Sequence, residues 1–250
     1  MARVSEMRIE KSYQRDLSPQ SISLIRKIIT GWDWAKFSPP ICAETPEGLF
    51  VIDGQHTAIA AASHPGLQAI PVLIVQADTV AKRAESFVSH NTARVKMSAL
   101  QVFHAEVAAE VPDAMGTLRA ALMAGAEIPR SISPKSRNKP GQIVSINQAR
   151  NIFKADGAAF LERLLKIAVM GKTAPITSVV MRALRILLKE EYFKAIESAG
   201  DDAIASALER HPEFDKDAER EGAAGGLGKY YAGAVIIAGA VRSDFAEAAQ

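Results

Sequence analysis

Cysteine is almost missing from this chain: Cys42 stands alone among 250 residues. That excludes an internal disulfide framework and any cysteine-rich zinc site. No H-E-x-x-H or other paired spacing joins the five histidines, His56, His64, His90, His104 and His211, so a histidine-based metal centre is not expected either. Long hydrophobic runs are lacking too. The most apolar late stretch, residues 230–241, is roughly half the ~20 residues that span a bilayer. Being mostly Gly and Ala, it suits a tightly packed helix, and no membrane partner is expected. No charged leader with an apolar core opens the sequence, which points to the cytoplasm. A Walker phosphate loop is lacking: Gly171-Lys172-Thr173 resembles its end, but Lys166 stands where the upstream glycine is required. The glycine-rich stretch 222–228 has no strand-loop-helix setting and reads as a joint or a close helix contact. Internal repeats and low-complexity tracts are not evident.

What is present suits a folded protein. With 48% hydrophobic and 23% charged residues over 250 positions, the chain has material for one large domain or two ordinary ones with real cores. Formal charge is only +2 overall but unevenly spread: +2 over residues 1–97, −3 over 98–118, +9 over 119–194 and −6 over 195–250. A basic middle suits a nucleic-acid-facing surface, because Lys and Arg displace counterions from phosphates. A solvated helical surface is the plainer alternative.

Local signals place the elements. Ser18 caps and Pro19 opens a helix with Ile22, Ile25 and Ile29 on one face, and Gly31 closes it. Apolar runs at 41–44 and 49–53, separated by Thr-Pro-Glu-Gly, read as an antiparallel pair. A helix over 53–63 follows, then a buried strand over 70–75, and a helix over 79–90 capped by Asp78. Beyond Lys96 the pattern turns mainly helical. Ser98 and Gln101 form a capping box, and helices fit 112–123, 147–154, 157–170 and 177–196, with a short strand at 142–146. The expected organisation is an α+β domain over 1–96 with a small mixed sheet, followed by a mainly helical domain over 97–250.

The most informative stretch is 52–60, I-D-G-Q-H-T-A-I-A, where a strand turns at once into a helix. The first N–H groups of a helix lack intrahelical partners and its dipole is positive there, so Gly54, Gln55, His56 and Thr57 form an anion-binding layout, with Gly54 letting the backbone approach a ligand. Tyr13-Gln14-Arg15, Pro40-Ile41, Asp53-Gly54-Gln55-His56, Ile70-Pro71-Val72 and His90-Asn91-Thr92-Ala93-Arg94 follow in order over roughly residues 8–100. This series resembles the ParB/sulfiredoxin superfamily, and within it the DGQHR subgroup.

That resemblance implies a nucleotide or phosphate pocket using Gly54, Gln55, His56, Thr57, Asn91, Arg94 and Arg15, with a nucleoside triphosphate as the possible cofactor. Thr57 stands where the subgroup usually carries Arg, so a bidentate phosphate clamp is missing at that position. His90 stands where partition proteins have a magnesium-linked Glu, and imidazole does not replace a hard carboxylate for magnesium. Binding with little hydrolysis is the expectation. Asp53 is the residue to carry catalysis, as base or metal ligand, if the fold serves a nuclease or phosphoryl-transfer enzyme; otherwise it caps the helix. Asn91 and Arg94 have a plain alternative as helix-end cap and surface charge, Arg15 as a solvated residue, and Cys42 reads as core. In the second half the proline-punctuated segment with Arg130, Lys135, Arg137 and Lys139 is the expected DNA contact. The function so implied is a nucleotide-binding, DNA-associated regulatory or mobile-element protein, with DNA as partner and a homo-oligomer possible. An interaction module with a vestigial pocket is the third reading.

Overall fold

The computed structural model describes residues 1–14, 16–93, 96–132 and 138–248. The fold is α+β, and the chain divides into two compact units, Met1–Lys96 and Met97–Gln250.

The first unit is built on a four-stranded mixed sheet in the order β2-β4-β3-β6. Its strands are β2 (Met7–Ile9), β3 (Ile41–Thr45), β4 (Gly48–Asp53) and β6 (Leu73–Val75). The antiparallel hairpin β3–β4 pairs Thr45 with Gly48 around Pro46-Glu47. Its turn is held by the Thr45 hydroxyl, which donates to the Gly48 carbonyl at 3.2 Å and accepts the Glu47 N–H at 3.2 Å. A second, two-stranded sheet joins β1 (Ala2–Arg3) to β5 (Ala69–Ile70).

Alternation along β4 sends residues to opposite faces of the sheet. Leu49 and Val51 pack with Cys42 and with Ala58 of α2 (Gln55–Ser63), whereas Ile52 packs with Ala43, Ala77 and Phe87 of α3 (Val80–Thr92). Helices therefore cover both faces. Ala58, Ala60 and Ala61 of α2 are buried, small side chains that let this helix lie close to its neighbours. Ser18 caps α1 (Pro19–Thr30) by accepting the Ser21 N–H at 3.1 Å, and Gly31 ends it. Of its three isoleucines Ile25 is buried, while Ile22 is exposed.

Three expectations fail in this unit. The strand over 70–75 is two strands, because Pro71 has no N–H to donate to a ladder: Ile70 pairs with Ala2, and Leu73 with Ile41. Leu73 and Ile74 are exposed rather than buried. Asp78 does not cap α3. Thr79 does, accepting the Lys82 N–H at 3.2 Å, while Asp78 forms only an exposed ion pair with Lys82.

The second unit is helical: α4 (Ala99–Ala108), α5 (Pro112–Met123), α6 (Ile146–Asp156), α7 (Ala158–Met170), α8 (Ser178–Lys189), α9 (Lys194–Glu197), α10 (Asp201–Glu209), α11 (Phe214–Gly225) and α12 (Lys229–Ala248). The capping box at Ser98 and Gln101 is formed. One continuous core runs through it, fed by the apolar stripes of α7 (Leu161, Leu164, Leu165, Ala168) and α8 (Val180, Leu184, Leu187). The α12 helix packs closely, as its Gly and Ala content requires: a Cβ on Gly233 would stand 2.9 Å from the Ala183 Cβ. At the glycine-rich joint, Gly226 ends α11 in the left-handed region, and the chain bends by 104° into α12. No single helix among the described residues is long and apolar enough to cross a membrane.

The strand expected at 142–146 is reduced to isolated bridges, Glu127 to Gln142 and Ile143 to Ile176. The long helix expected over 177–196 stops at Lys189, and a 3-10 turn, Glu191–Phe193, leads into α9.

Candidate functional site

Strand β4 ends at Asp53, opposite Ile41, and Gly54 then takes φ 84° and ψ 27°, the left-handed conformation that reverses the chain into α2. An L side chain is strained there. The missing Cβ of Gly54 faces Pro40, whose Cα lies 3.0 Å from where that Cβ would stand. The glycine is therefore required by the turn and by its contact with Pro40. The N-cap position of α2 is held by Gly54. Residues 53–57 are all half-buried, and Asp53 and Gln55 are engaged by neighbouring groups.

The segment before α1 lies against the end of β4. Gln14 Nε2 donates to the Val51 and Ile52 carbonyls at 3.0 and 3.1 Å, and the Tyr13 ring sits 5.5 Å from Phe87 of α3. Tyr13 Oη is buried without a hydrogen-bond partner, and burial raises its pKa. Arg83 is the residue that sequence reasoning missed here. It is 3% exposed, lies 4.5 Å over the Phe50 ring, donates to the Asp78 carbonyl at 3.2 Å and pairs with Glu10 at 3.7 Å. This cation joins the 10–14 segment, β4 and α3. Nothing in the local run Lys82-Arg83 distinguishes it from a solvated surface charge.

The second motif lies differently from its expected place after α3. Both His90 and Asn91 are in its last turn; Asn91 is exposed, and its Nδ2 donates to the Phe87 carbonyl of the same helix at 2.8 Å. Arg15 and Arg94 lie outside the described residues, and so does the expected approach of Arg94 to Gly54. The buried Cys42 thiol is pushed up to about 11 by desolvation, so it stays protonated core.

A cavity of about 260 Å³ adjoins α2 at Thr57. Its remaining walls come from the end of α1 and the loop after it: Lys27, Ile28, Trp32, Lys36 and Phe37 among them. Trp32 is the centre of an aromatic cluster, with Phe37, Trp34 and His64 at centroid distances of 5.6, 5.5 and 5.8 Å. Its indole Nε1 is buried and has no acceptor. The available signal was W-D-W-A-K-F, residues 32–37, which holds both tryptophans of the chain.

In the second unit half of the cations of the +9 block are taken up in ion pairs. Arg150 bonds Asp113 at 2.7 Å and Glu106 at 2.5 Å, and Lys154 also reaches Asp113. Arg163 bonds Glu197 and Asp201, Lys172 bonds Glu209, and Lys194 bonds Glu191. Arg185 and Lys189 converge on Asp156, whose side chain is 2% exposed. Their hydrogen bonds, that of Arg185 first, hold the Asp156 carboxyl down at about 2; Lys154 and then Arg150 do the same for Asp113. Seven of the block's 14 cations are thus paired among the described residues. The acidic blocks on either side supply most of the partners. Of the expected DNA contacts, Arg130 and Lys139 are exposed and belong to none of these pairs, whereas Lys135 and Arg137 lie outside the described residues.

No family model matches the chain, and no curated protein matches it. Among solved structures it is similar to the C-terminally truncated chromosome-partitioning protein ParB from Caulobacter crescentus complexed with CTP-gamma-S. Identity is 15%, with 83% of this chain and 96% of that chain covered and a TM-score of 0.34. A similarity at this level establishes neither a shared topology nor a shared ligand.

Proposed function

We propose that residues 1–96 bind a nucleotide, with the base in the Trp32 cavity and the phosphates over the first turn of α2, and that the protein is a nucleotide-linked, DNA-associated regulator. One observation carries this reading: Trp32, which lines the cavity that touches Thr57, carries a buried indole N–H with no acceptor. An unpaired buried donor costs about 1–3 kcal/mol, which a ligand acceptor recovers. Trp32 and Phe37 supply aromatic walls for a planar heterocycle. Lys27 and Lys36 on the rim, together with the positive end of α2, favour phosphate. At about 260 Å³ the cavity is smaller than the ~300 Å³ at which drug-sized sites begin, so it suits a base and leaves the phosphates outside.

His90 stands at the position the resemblance assigns to a magnesium-linked carboxylate, and an imidazole does not replace a hard carboxylate for magnesium. We therefore read the site as one of binding rather than turnover. The DNA component of the proposal rests on residues 130–139, since much of the remaining basic block is paired.

The test uses the intact chain. Trp32 lines this cavity and Trp34 packs against Trp32, so tryptophan emission should change on titration with ATP, CTP, GTP or UTP, with and without magnesium and duplex DNA. A bound nucleotide also raises the melting temperature, by about 2.7 kcal/mol of stabilisation at 100 times its Kd. Trp32→Phe, which keeps the ring and removes the N–H, should weaken binding. Unchanged emission and melting with all four nucleotides would refute the proposal.

A further inference from the structure

A larger cavity, of about 650 Å³, lies wholly in the second unit, between the α7–α8 and α10–α11 connections. Nothing in the nucleotide reading uses it. Its ionic lining groups are already matched. Lys172 bonds Glu209 at 2.6 Å, and Lys216 bonds Glu213 at 2.7 Å. Asp215 accepts the Thr177 hydroxyl at 2.7 Å. Thr177 caps α8 and Asp215 lies in the first turn of α11, so two helix N-termini offset that carboxylate.

Two further polar side chains, Thr173 and His211, line the cavity. Thr173 Oγ1 is buried and has no hydrogen-bond partner. His211 has Nδ1 placed 3.2 Å from Asp217 Oδ2, and Asp217 is itself bonded by Arg220 at 3.0 Å. When neutral, the ring donates from Nδ1 to that carboxylate and keeps Nε2 as an acceptor. Leu208, Val180, Pro212 and Phe214 complete the walls with apolar surface. A ligand that fits is uncharged, carries hydroxyls that both donate and accept, and has a carbon face for the apolar wall.

We infer that this cavity binds a sugar ring, either of a free saccharide or of a nucleoside, through the Thr173 hydroxyl and His211 Nε2. Ions are disfavoured: entering anions meet Glu209, Glu213 and Asp215, and entering cations compete with lysines already in place. The volume falls within the ~300–1,000 Å³ of small-molecule sites.

Isothermal titration of the full chain with glucose, maltose, adenosine and uridine tests this, the first two arms reporting a saccharide and the last two a nucleoside. Saturable binding of at least one is expected at concentrations up to about 10 mM, a range that detects even weak sites. Thr173→Val, which keeps shape and removes the hydroxyl, should weaken that binding roughly tenfold, the loss of one hydrogen bond, and His211→Asn should weaken it similarly. Trp32→Phe should leave it unchanged, which separates this site from the nucleotide cavity. Glucose 6-phosphate should bind more weakly than glucose. The inference is overturned if none of the four binds, if binding survives both Thr173→Val and His211→Asn, if it is lost in Trp32→Phe instead, or if the phosphate ester binds as well as the sugar.

Discussion

Replacing Gly54 with alanine tests the geometry on which the first unit's site depends. The residue has φ 84°, where an L side chain costs about 1–2 kcal/mol. An added Cβ would stand 3.0 Å from the Pro40 Cα and 3.3 Å from its Cβ. These are a backbone atom and a rigid ring atom, so relief requires movement of β4 or of the turn. Against this, alanine removes backbone freedom from the unfolded chain, worth about 0.4–1 kcal/mol in its favour. The net expectation is a loss of about 1–2 kcal/mol, or roughly 4–15 °C in the melting temperature of a domain this size. Urea unfolding followed by tryptophan emission reads the first unit specifically, since Trp32 and Trp34 are the chain's two tryptophans. Gly226→Ala provides the control: it too is left-handed, with φ 65° and ψ 21°, and nothing lies within 4 Å of the added Cβ, so it isolates the conformational cost, read by circular dichroism because it lies in the second unit. A loss for Gly54→Ala below about 0.5 kcal/mol, within the range of ordinary surface changes, would refute the argument. Equality with Gly226→Ala would remove the Pro40 contact from it.

Further outcomes follow from the ion pairs and the basic segment. Asp156 has its carboxyl held at about 2 against an ordinary 3.8, so its contribution is fully present above pH about 4 and is lost as pH falls towards about 2. Asp156→Asn should cost about 1–3 kcal/mol at neutral pH and flatten the acid limb of stability, checked by urea midpoints at pH values across that window. Arg83→Met should destabilise the first unit by about 1–3 kcal/mol through loss of bonds to a charged group, an expectation that an unchanged urea midpoint would contradict. If the basic segment touches DNA, replacing Arg130 and Lys139 with Ser should lower the slope of log K against log salt by roughly 2, near 0.9 per phosphate contact, evenly across sequences. Should the protein bind nucleotide, His90→Glu should introduce magnesium dependence, measured as the ratio of affinities with and without the ion.

Much of the architecture was written locally in the chain. Ser18-Pro19 and Gly31 bound α1, Ser98 and Gln101 cap α4, Pro112 opens α5, and the Thr45-to-Gly48 turn joins two alternating runs, because each depends on residues within one turn of one another. The same holds for the passage from β4 through Gly54 into α2. Partners distant in sequence were not legible. Strand β2 is three residues long and pairs in parallel with β4 some forty positions later, and Pro71 divides a run that otherwise reads as one strand. Arg83 looks solvated until α3 lays it on Phe50, and Arg150 and Arg163 of the +9 block look unpaired until folding brings Glu106, Asp113, Glu197 and Asp201 to them. The Trp32 and Thr173 cavities likewise exist only where separate connections meet. Capping and turn chemistry act over a few bonds and leave a mark on neighbouring residues. Burial, ion pairing and cavity shape instead depend on which segments the whole chain brings together.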